Sequence, residues 1–404
     1  MAVKPGYKQS EVGEIPAEWD ATTIGAVASF SGGSQPPRST FRFSPTEGYI
    51  RLIQIRDYKT DEYASYIPEA MARKRCTATD IMIGRYGPPI FQILRGIEGA
   101  YNVALIKATP NAKIDREFFY LVLQQERLFQ LIDSLSRRSS GQTGVEMPAL
   151  RDYGLPLPPL PEQRTIAEGV GDVVALLGSL DRLIAKKRDL KQAAMQQLLT
   201  GQTRLPGFHG EWEMKRLGDV LDTDPENLGS STRPDFAFRY IALEDIEQGI
   251  LRSHAEHVFA SAPSRARRKL RPNDVLVSTV RPNLQSHLLF TGGIGDWVCS
   301  TGFCVLRCRE EITNPAFIFQ HLFAGCVNRQ IDALLTGSNY PSINGGDVRA
   351  LEIPLPKYAE QTAIAEVLTE MDEELAALEQ RREKTRDFKQ AMMQELLTGK
   401  TRLV

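Results

Sequence analysis

Arginines, amides, hydroxyls and tyrosines gather in loops that also carry glycine or proline, and these loops are the part of the sequence best suited to specific chemistry. The planar fork of arginine fits guanine edges and phosphates, and Asn and Gln can bind adenine in the same bidentate way. Residues 206–353 contain 13 Arg but only 2 Lys. This bias favours recognition through the planar geometry of arginine over binding through positive charge alone. The candidate nucleic-acid-binding residues are Arg38, Arg85, Tyr86, Gln142, Thr143, Arg267, Arg268, Arg281, Asn283, Gln285, Ser338, Asn339 and Tyr340.

Each of these residues has an ordinary alternative, because polar loops are also simply solvated. The basic run at residues 265–271 favours phosphate positioning over base reading. The corresponding loops of the two halves of the chain differ in their polar residues, which predicts two different half-targets.

The motifs of catalysis and metal binding are incomplete. Gly87-Pro88-Pro89-Ile90 lacks both ends of an adenine methyltransferase motif, and Gly399-Lys400-Thr401 lacks the first glycine of a phosphate-binding loop, where Gln394 stands. Gly201 and Gly399 instead follow the last apolar residues of two helical segments and are predicted to cap those helices. The pair in His254-Ala-Glu-His257 lacks the spacing of a zinc site. Glu213-Met214-Lys215 has nuclease-like spacing but lies at a repeat boundary, which favours a structural role. The sequence therefore predicts no catalytic residue and no metal site.

Length and composition bound the class of protein. The 404 residues predict two to four domains, and 42% hydrophobic and 25% charged residues are typical of a globular chain. The net charge of −1 argues against coating of nucleic acid by bulk charge. No segment has the length and apolarity of a membrane span, and the first residues lack a signal-peptide core. The five cysteines show no C-x-x-C spacing, so we expect reduced thiols in a cytoplasmic protein.

An internal repeat defines the organisation. Residues 162–205 and 360–403 align without a gap, and half of the aligned positions are identical. Weaker matches extend upstream, where residues 49–52 are paired with 240–243, and 80–83 with 274–277. The predicted domains are residues 1–155, a helical spacer at 156–205, residues 206–353 and a second spacer at 354–404.

The helical copies carry apolar residues at heptad spacing, which indicates a seam. A narrow stripe cannot stabilise about 36 residues of helix alone, so we expect the two helices to pair with each other. The alternative is that each packs on its own globular domain. If each globular domain is compact, the pair is antiparallel, and Leu403 returns to the region of Trp19. The seam residues are Ile166, Val170, Val173, Leu177, Leu180, Ile184, Ile364, Leu368, Met371, Leu375 and Leu378.

The globular parts predict a mixed α/β fold. Strands are expected at residues 49–55, 81–85, 103–107, 240–243, 275–280 and 303–307, and helices at 118–135 and 315–335. Two globular domains would thus be joined by an antiparallel coiled coil with internal pseudo-two-fold symmetry.

The whole layout resembles one family. The repeated Glu-Gln-x-x-Ile-Ala entry, the Arg-Asp-[Leu/Phe]-Lys-Gln-Ala exit ending in Thr-Gly-x-Thr-Arg-Leu, and the Glu-Trp domain starts are similar to the specificity (S) subunit, HsdS, of Type I restriction–modification systems. The resemblance implies two target-recognition domains that each read one half of a bipartite DNA sequence, with a coiled coil that sets the gap.

The resemblance also implies the partners and cofactors. Double-stranded DNA, two methyltransferase (M) subunits and restriction/translocase (R) subunits would bind this chain, and no membrane would. S-adenosylmethionine for adenine N6 methylation, ATP and Mg would be held by those subunits and no cofactor by this chain, which would not be an enzyme on its own. An interaction scaffold without DNA and a self-contained nuclease are the rival interpretations.

Overall fold

The computed structural model describes residues 4–138, 144–337 and 340–403, which form two compact units. One unit takes the chain up to Ser179 together with the segment from Arg382 onward, and the other takes Leu180–Arg381. Each unit therefore holds one globular domain and parts of both long helices.

Ten helices are described. They are α1 (Ile24–Val27), α2 (Arg116–Leu123), α3 (Glu126–Arg138), α4 (Met147–Asp152), α5 (Leu160–Leu198), α6 (Leu217–Val220), α7 (Pro315–His321), α8 (Gly325–Leu334), α9 (Gly345–Ala350) and α10 (Tyr358–Leu396).

The described strands divide equally between the two globular domains. Those of the first are β1 (Tyr7–Ser10), β2 (Gly13–Pro16), β3 (Asp20–Thr23), β4 (Ala28–Gly32), β5 (Tyr49–Ile53), β6 (Tyr66–Pro68), β7 (Arg75–Cys76), β8 (Ile81–Gly84), β9 (Ile93–Leu94), β10 (Gly99–Tyr101), β11 (Leu105–Pro110) and β12 (Gly154–Leu157). Those of the second are β13 (Glu213–Arg216), β14 (Leu221–Thr223), β15 (Ala237–Ile241), β16 (Ile246–Glu247), β17 (Ile250–Leu251), β18 (Ala255–Val258), β19 (Ala266–Leu270), β20 (Asp274–Ser278), β21 (Leu288–Phe290), β22 (Trp297–Ser300), β23 (Phe303–Cys308) and β24 (Glu352–Leu355).

The two globular domains repeat one topology. Each has a four-stranded sheet with a parallel central pair, in the order β6-β5-β10-β7 in the first domain and β18-β15-β22-β19 in the second. Each also has an antiparallel sheet, β4-β11-β8-β9 and β14-β23-β20-β21. Two-stranded ribbons pair β3 with β12 and β13 with β24, and the second strand of each ribbon lies just before a long helix in the chain. The predicted mixed α/β class and internal duplication are confirmed.

The long helices pair in the antiparallel sense within each unit. In one unit, Ile166 and Val170 of α5 share a buried core with Leu396 of α10. In the other, Ile364 and Leu368 of α10 share a core with Leu198 of α5. Both cores also contain residues of the globular domain, so pairing and packing on the domain occur together. The sequence had presented them as alternatives.

Ion pairs reinforce this pairing in the second unit. Lys191 contacts Asp372 at 2.5 Å and Lys187 contacts Glu374 at 2.7 Å, while Arg188 pairs with Glu379. Lysines therefore replace apolar residues in the stripe of α5 where α10 offers carboxylates.

Two predicted helices are each broken in two. The segment expected at 118–135 forms α2 and α3, and that expected at 315–335 forms α7 and α8. Helix α2 is buried nearly all round, whereas α3 buries only one stripe, at Leu128 and Ile132. One straight helix cannot have both patterns of burial. The apolar period of the sequence continues through the break, so the sequence does not show where the helix ends.

One predicted strand and one predicted repeat match also need correction. Val103 lies in a turn before β11 rather than in the strand. The predicted repeat match of residues 49–52 with 240–243 is wrong by three positions. In the parallel strand pair of each domain, Leu52 lies opposite Ala100 of β10 and Tyr240 lies opposite Val298 of β22, so the structural counterpart of Leu52 is Tyr240 rather than Leu243. The match between residues 80–83 and 274–277 is confirmed by the pairing of β8 and β20 with β11 and β23.

Candidate nucleic-acid interface

Each globular domain is fixed to the helices by a joint of tryptophan, glutamate and arginine. In the first unit, the indole Nε1–H of buried Trp19 donates to Glu162 at 2.9 Å. Arg402 donates through Nε and a terminal nitrogen to both oxygens of Glu162, each at 2.9 Å, and also reaches Glu18. Because Arg402 follows α10, the joint ties this end of the chain to the first domain. The expected return of residue 403 to the region of Trp19 is confirmed.

The second unit repeats this joint with other parts of the chain. Glu360, at the start of α10, accepts from Trp212 at 3.2 Å and from Arg204 at 2.5 and 2.6 Å. Arg204 follows α5, as Arg402 follows α10. The repeated Glu, Trp and Thr-Arg-Leu motifs thus form one joint, which the sequence comparison located but did not explain.

The glutamine after each glutamate completes the joint. Gln163 is fully buried; its amide donates to the carbonyls of Pro158 and Lys113 and accepts from the Asp115 amide at 2.7 Å. Gln361 makes the same set of bonds to Pro356, Ile312 and Asn314. An amide has both donors and an acceptor, so no other side chain of this size satisfies all three backbone groups.

A helix cap brings each arginine back to its joint. Gly201 and Gly399 follow the long helices with φ of 72° and 71°, the left-handed conformation that glycine adopts at helix ends. A Cβ at Gly399 would collide with Pro16 and Trp19. The prediction that Gly399 caps its helix is confirmed.

Arg85 and Tyr86 lie where β8 ends in the first domain. The Arg85 guanidinium is 5.3 Å from the Tyr86 ring centroid, and its Nε is buried without a hydrogen-bond partner. The Arg85 backbone bonds Ala104 and Val145, so the base of this loop is fixed.

Arg281 and Tyr340 make a similar arginine–tyrosine contact in the second domain. The Arg281 guanidinium lies 4.5 Å from the Tyr340 ring centroid, and its amide donates to Pro341 at 2.7 Å. Asn283 is exposed and Gln285 half-buried. The structure therefore brings Arg281 and Tyr340 together from segments that are 59 positions apart in the sequence.

The remaining predicted binding residues separate into three groups. Arg38 is exposed near β4, and Arg267 lies over the Phe259 ring at 5.0 Å. Arg268 is occupied differently, since it pairs with Asp224 at 2.9 Å and donates to Asn227 at 3.0 Å. Gln142, Thr143, Ser338 and Asn339 lie outside the described residues.

The predicted seam residues are all protected from solvent. Val173, Leu177, Met371 and Leu378 are half-buried, and the others are buried. For Ile166, Val170, Ile364 and Leu368, this protection follows from the two cores described above.

A polar cavity in the first domain was not found by sequence reasoning. Its volume is about 530 Å³, and Arg51, Asp57, Tyr58 and Arg95 are among its lining residues. Burial raises the pKa of Asp57, although the backbone of Gln54 and the nearby Arg51 act against that shift. These residues come from β5 and the loops beside it, and no sequence motif marks them.

Other chemistry is limited among the described residues. In them no cluster of three or more His, Cys, Asp or Glu could hold a metal ion. Glu213 and Lys215 pair with each other on β13. All five cysteines are free, and burial raises the pKa of Cys76 and Cys308 to about 11. Across the described ranges, no helix has the length and apolar character that crossing a membrane requires.

Comparison with known proteins gives the class. The family model described as "Type I restriction modification DNA specificity domain" matches residues 16–186 and again 209–385. Two such domains in succession define a protein with two target-recognition domains. The chain belongs to this family and is a specificity subunit of a type I restriction–modification system.

Curated relatives share its full length. The putative type I restriction enzyme MjaX specificity subunit of Methanocaldococcus jannaschii is 23% identical over 98% of this chain and 97% of its own. The MjaVIII specificity subunit of the same organism is 22% identical over 98% and 96%. Specificity subunits are the non-catalytic components of these systems, which agrees with the prediction that this chain is not an enzyme on its own.

Solved structures share the fold. The S subunit of a type I system from M. genitalium has a TM-score of 0.59 at 14% identity, covering 97% of this chain and 98% of its own. A chain from a study of complex assembly and conformational transition of the type I R-M system has a TM-score of 0.57 at 19% identity, covering 96% and 99%.

Proposed function

We propose that each globular domain reads one half of a bipartite, asymmetric DNA sequence. The observation that carries this proposal is that the two copies of the internal repeat share their joints but differ in their loops. The joint around Glu162 and that around Glu360 use the same residue types and bonds, whereas the loops after β8 and β20 differ. A common joint with different loops is suited to reading two different sequences from one framework.

The loops have the chemistry that base reading needs. Arg85, Arg267 and Arg281 lie over aromatic rings, and none forms an ion pair with a carboxylate among the described residues. Their forks are available for guanine edges or phosphates. Arg268 differs because Asp224 holds its fork, so its contribution would be to the shape of the domain.

The paired helices would set the gap between the half-targets. Each has 39 residues, or roughly 58 Å at about 1.5 Å per residue. Half-sites one helical turn apart are separated by roughly 34 Å, so helices of this length can span such a site.

Partner subunits would supply the chemistry. Two methyltransferase subunits would dock around the helices and bind S-adenosylmethionine, and restriction subunits would bind ATP and Mg. A methyltransferase that flips its adenine out of the stack can act while a separate chain reads the sequence. The complex would act in the cytoplasm, where it meets DNA.

Methylome sequencing tests the proposal. A host that expresses the chain with its methyltransferase partner should show adenine methylation in one split sequence, and a host with the methyltransferase alone should not. Binding of the purified complex to that duplex should weaken as salt rises. Methylation without a split motif would contradict the proposal, and metal-dependent cleavage by the chain alone would favour the nuclease interpretation.

A further inference from the structure

The loop tips after β8 and β20 share an unusual backbone frame. In the first domain, Gly87 and Phe91 have φ of 98° and 59°; in the second, Arg281 and Gln285 have φ of 47° and 53°. Each pair of left-handed residues encloses three residues that begin with proline. Alignment of β8 with β20 makes Gly87 the counterpart of Arg281 and Phe91 that of Gln285.

The second domain keeps this frame without glycine. Non-glycine residues held in the left-handed region cost conformational energy and cluster where the backbone serves a function. Hydrogen bonds hold the tip: Leu284 donates to the Arg281 carbonyl and Gln285 to that of Pro282, both at 2.9 Å. These hydrogen bonds therefore hold the backbone of the tip in one conformation.

The two loop tips differ in the exposure of the last residue that each pair of left-handed residues encloses. Ile90 of the first domain is buried, with 6% of its surface exposed, whereas its counterpart Leu284 is 57% exposed. One domain turns the apolar residue into its core, and the other turns it outward.

We propose that Leu284 enters the base stack in the half-target bound by the second domain. This inference rests on the proposed function. Apolar side chains on DNA-binding proteins can insert between base steps and partly unstack them. Arg281, held over Tyr340, stands beside Leu284 and can bind the phosphate or base edge next to the opened step. The geometry points to insertion in one half-target only, because Ile90 is withdrawn.

Exposure alone does not select Leu284, since single exposed apolar residues are common. Ile294 is more exposed, at 85%, but it lies between Gly293 and Gly295 and two residues before Asp296, whose carboxylate would repel phosphate. Ile294 thus serves as the matched control in the same domain.

The test uses the complex with the methyltransferase and the duplex identified by methylome sequencing. 2-Aminopurine is placed in turn at each step of the second half-target, away from the methylated adenine. Wild type and Ile294→Ala should raise its fluorescence at one step. Leu284→Ala should abolish that rise and weaken binding about tenfold, because the apolar surface that the leucine side chain buries on binding is lost, while Leu284→Met should retain both.

The possible outcomes separate the inference from the proposed function. Persistence of the fluorescence rise in Leu284→Ala, or its absence in wild type, would overturn insertion. Normal binding by Leu284→Ala together with loss in Arg281→Gly would also overturn it, while still supporting DNA reading by the loop. The absence of any split methylation motif would instead defeat the proposed function. Unchanged thermal unfolding of Leu284→Ala would show that the variant folds.

Discussion

Adjacent residues of the same type have different roles here. Arg267 and Arg268 both lie on β19, where neighbouring side chains point to opposite faces and a bulge interrupts the pairing. Arg268 faces Asp224, and Arg267 lies over Phe259. The arginine-rich run is evident in the sequence, but the different roles of its members are not, because they depend on partners that lie far apart along the chain. Likewise, the Glu-Gln motifs were evident, but their distant Trp and Arg partners were not.

The two tryptophan joints allow a matched prediction at the residue scale. Trp19→Phe should lower the free energy of unfolding by about 2 kcal/mol, because it removes a buried hydrogen bond to a charged group. Trp212→Phe should cost less, since Trp212 is half-buried and its bond to Glu360 is longer. Urea unfolding followed by circular dichroism measures both, and equal losses would contradict the ranking.

The loop arginines should affect one half-target each. Arg85→Thr and Arg281→Gly introduce the residues found at the equivalent positions of the other domain, so each variant retains a backbone the fold accepts. We expect each to relax specificity in a single half, measured on duplexes mutated separately in each half. Arg268→Ala is the control and should lower stability instead. Equal loss of affinity for all sequences would mean that Arg85 and Arg281 bind phosphates.

At the scale of elements, the apolar periodicity of the sequence predicted the presence of helices better than it predicted their boundaries. The heptad stripe located both long helices, and Gly201 and Gly399 marked their ends. The breaks between α2 and α3 and between α7 and α8 were missed. A continuous apolar period does not reveal where burial changes from nearly the whole helix surface, as in α2, to a single stripe, as in α3.

Two buried histidines of the second domain, His321 on α7 and His287 just before β21, make stability depend on pH. His321 is buried with both ring nitrogens unpaired, and burial lowers its pKa to about 3; burial lowers the pKa of His287 to about 4. Because the unfolded state binds protons more readily, stability is present above about pH 6.5 and is lost as pH falls toward these values.

The expected loss between pH 7 and pH 5 is about 2 kcal/mol for each histidine. His321→Val, which introduces the counterpart residue Val122, should remove one such contribution. Urea unfolding at both pH values tests this, and an unchanged pH dependence in the variant would refute it.

A matched deletion tests the helices as a spacer. Removing residues 180–186 and 378–384 takes two turns from facing parts of α5 and α10 and leaves the ion pair between Lys191 and Asp372 in register. We expect the gap in the methylated sequence to shorten by about three base pairs, since seven residues span roughly 10 Å. Deleting only residues 180–186 should destroy the register and the activity. An unchanged gap after the double deletion would rule out the spacer role.

At the scale of the molecule, the duplicated joints predict that the domains are exchangeable. A chain in which residues 213–353 replace residues 20–155 retains Trp19 and Glu162 and gains the carbonyl of Ile312 for Gln163. With its partners it should methylate a sequence that contains the second half-target twice, as read by methylome sequencing. Persistence of the first half-target would contradict the assignment of that half to the first domain.

The joint made by Arg402 also has a consequence for biosynthesis. Arg204 leaves the ribosome before Glu360 is made, so the second joint can close as soon as α10 begins. Glu162, in contrast, must wait for an arginine 240 positions later, roughly 10–50 s at about 5–20 residues per second. During that interval the Glu162 carboxylate of the nascent first domain lacks the arginine that later neutralises it.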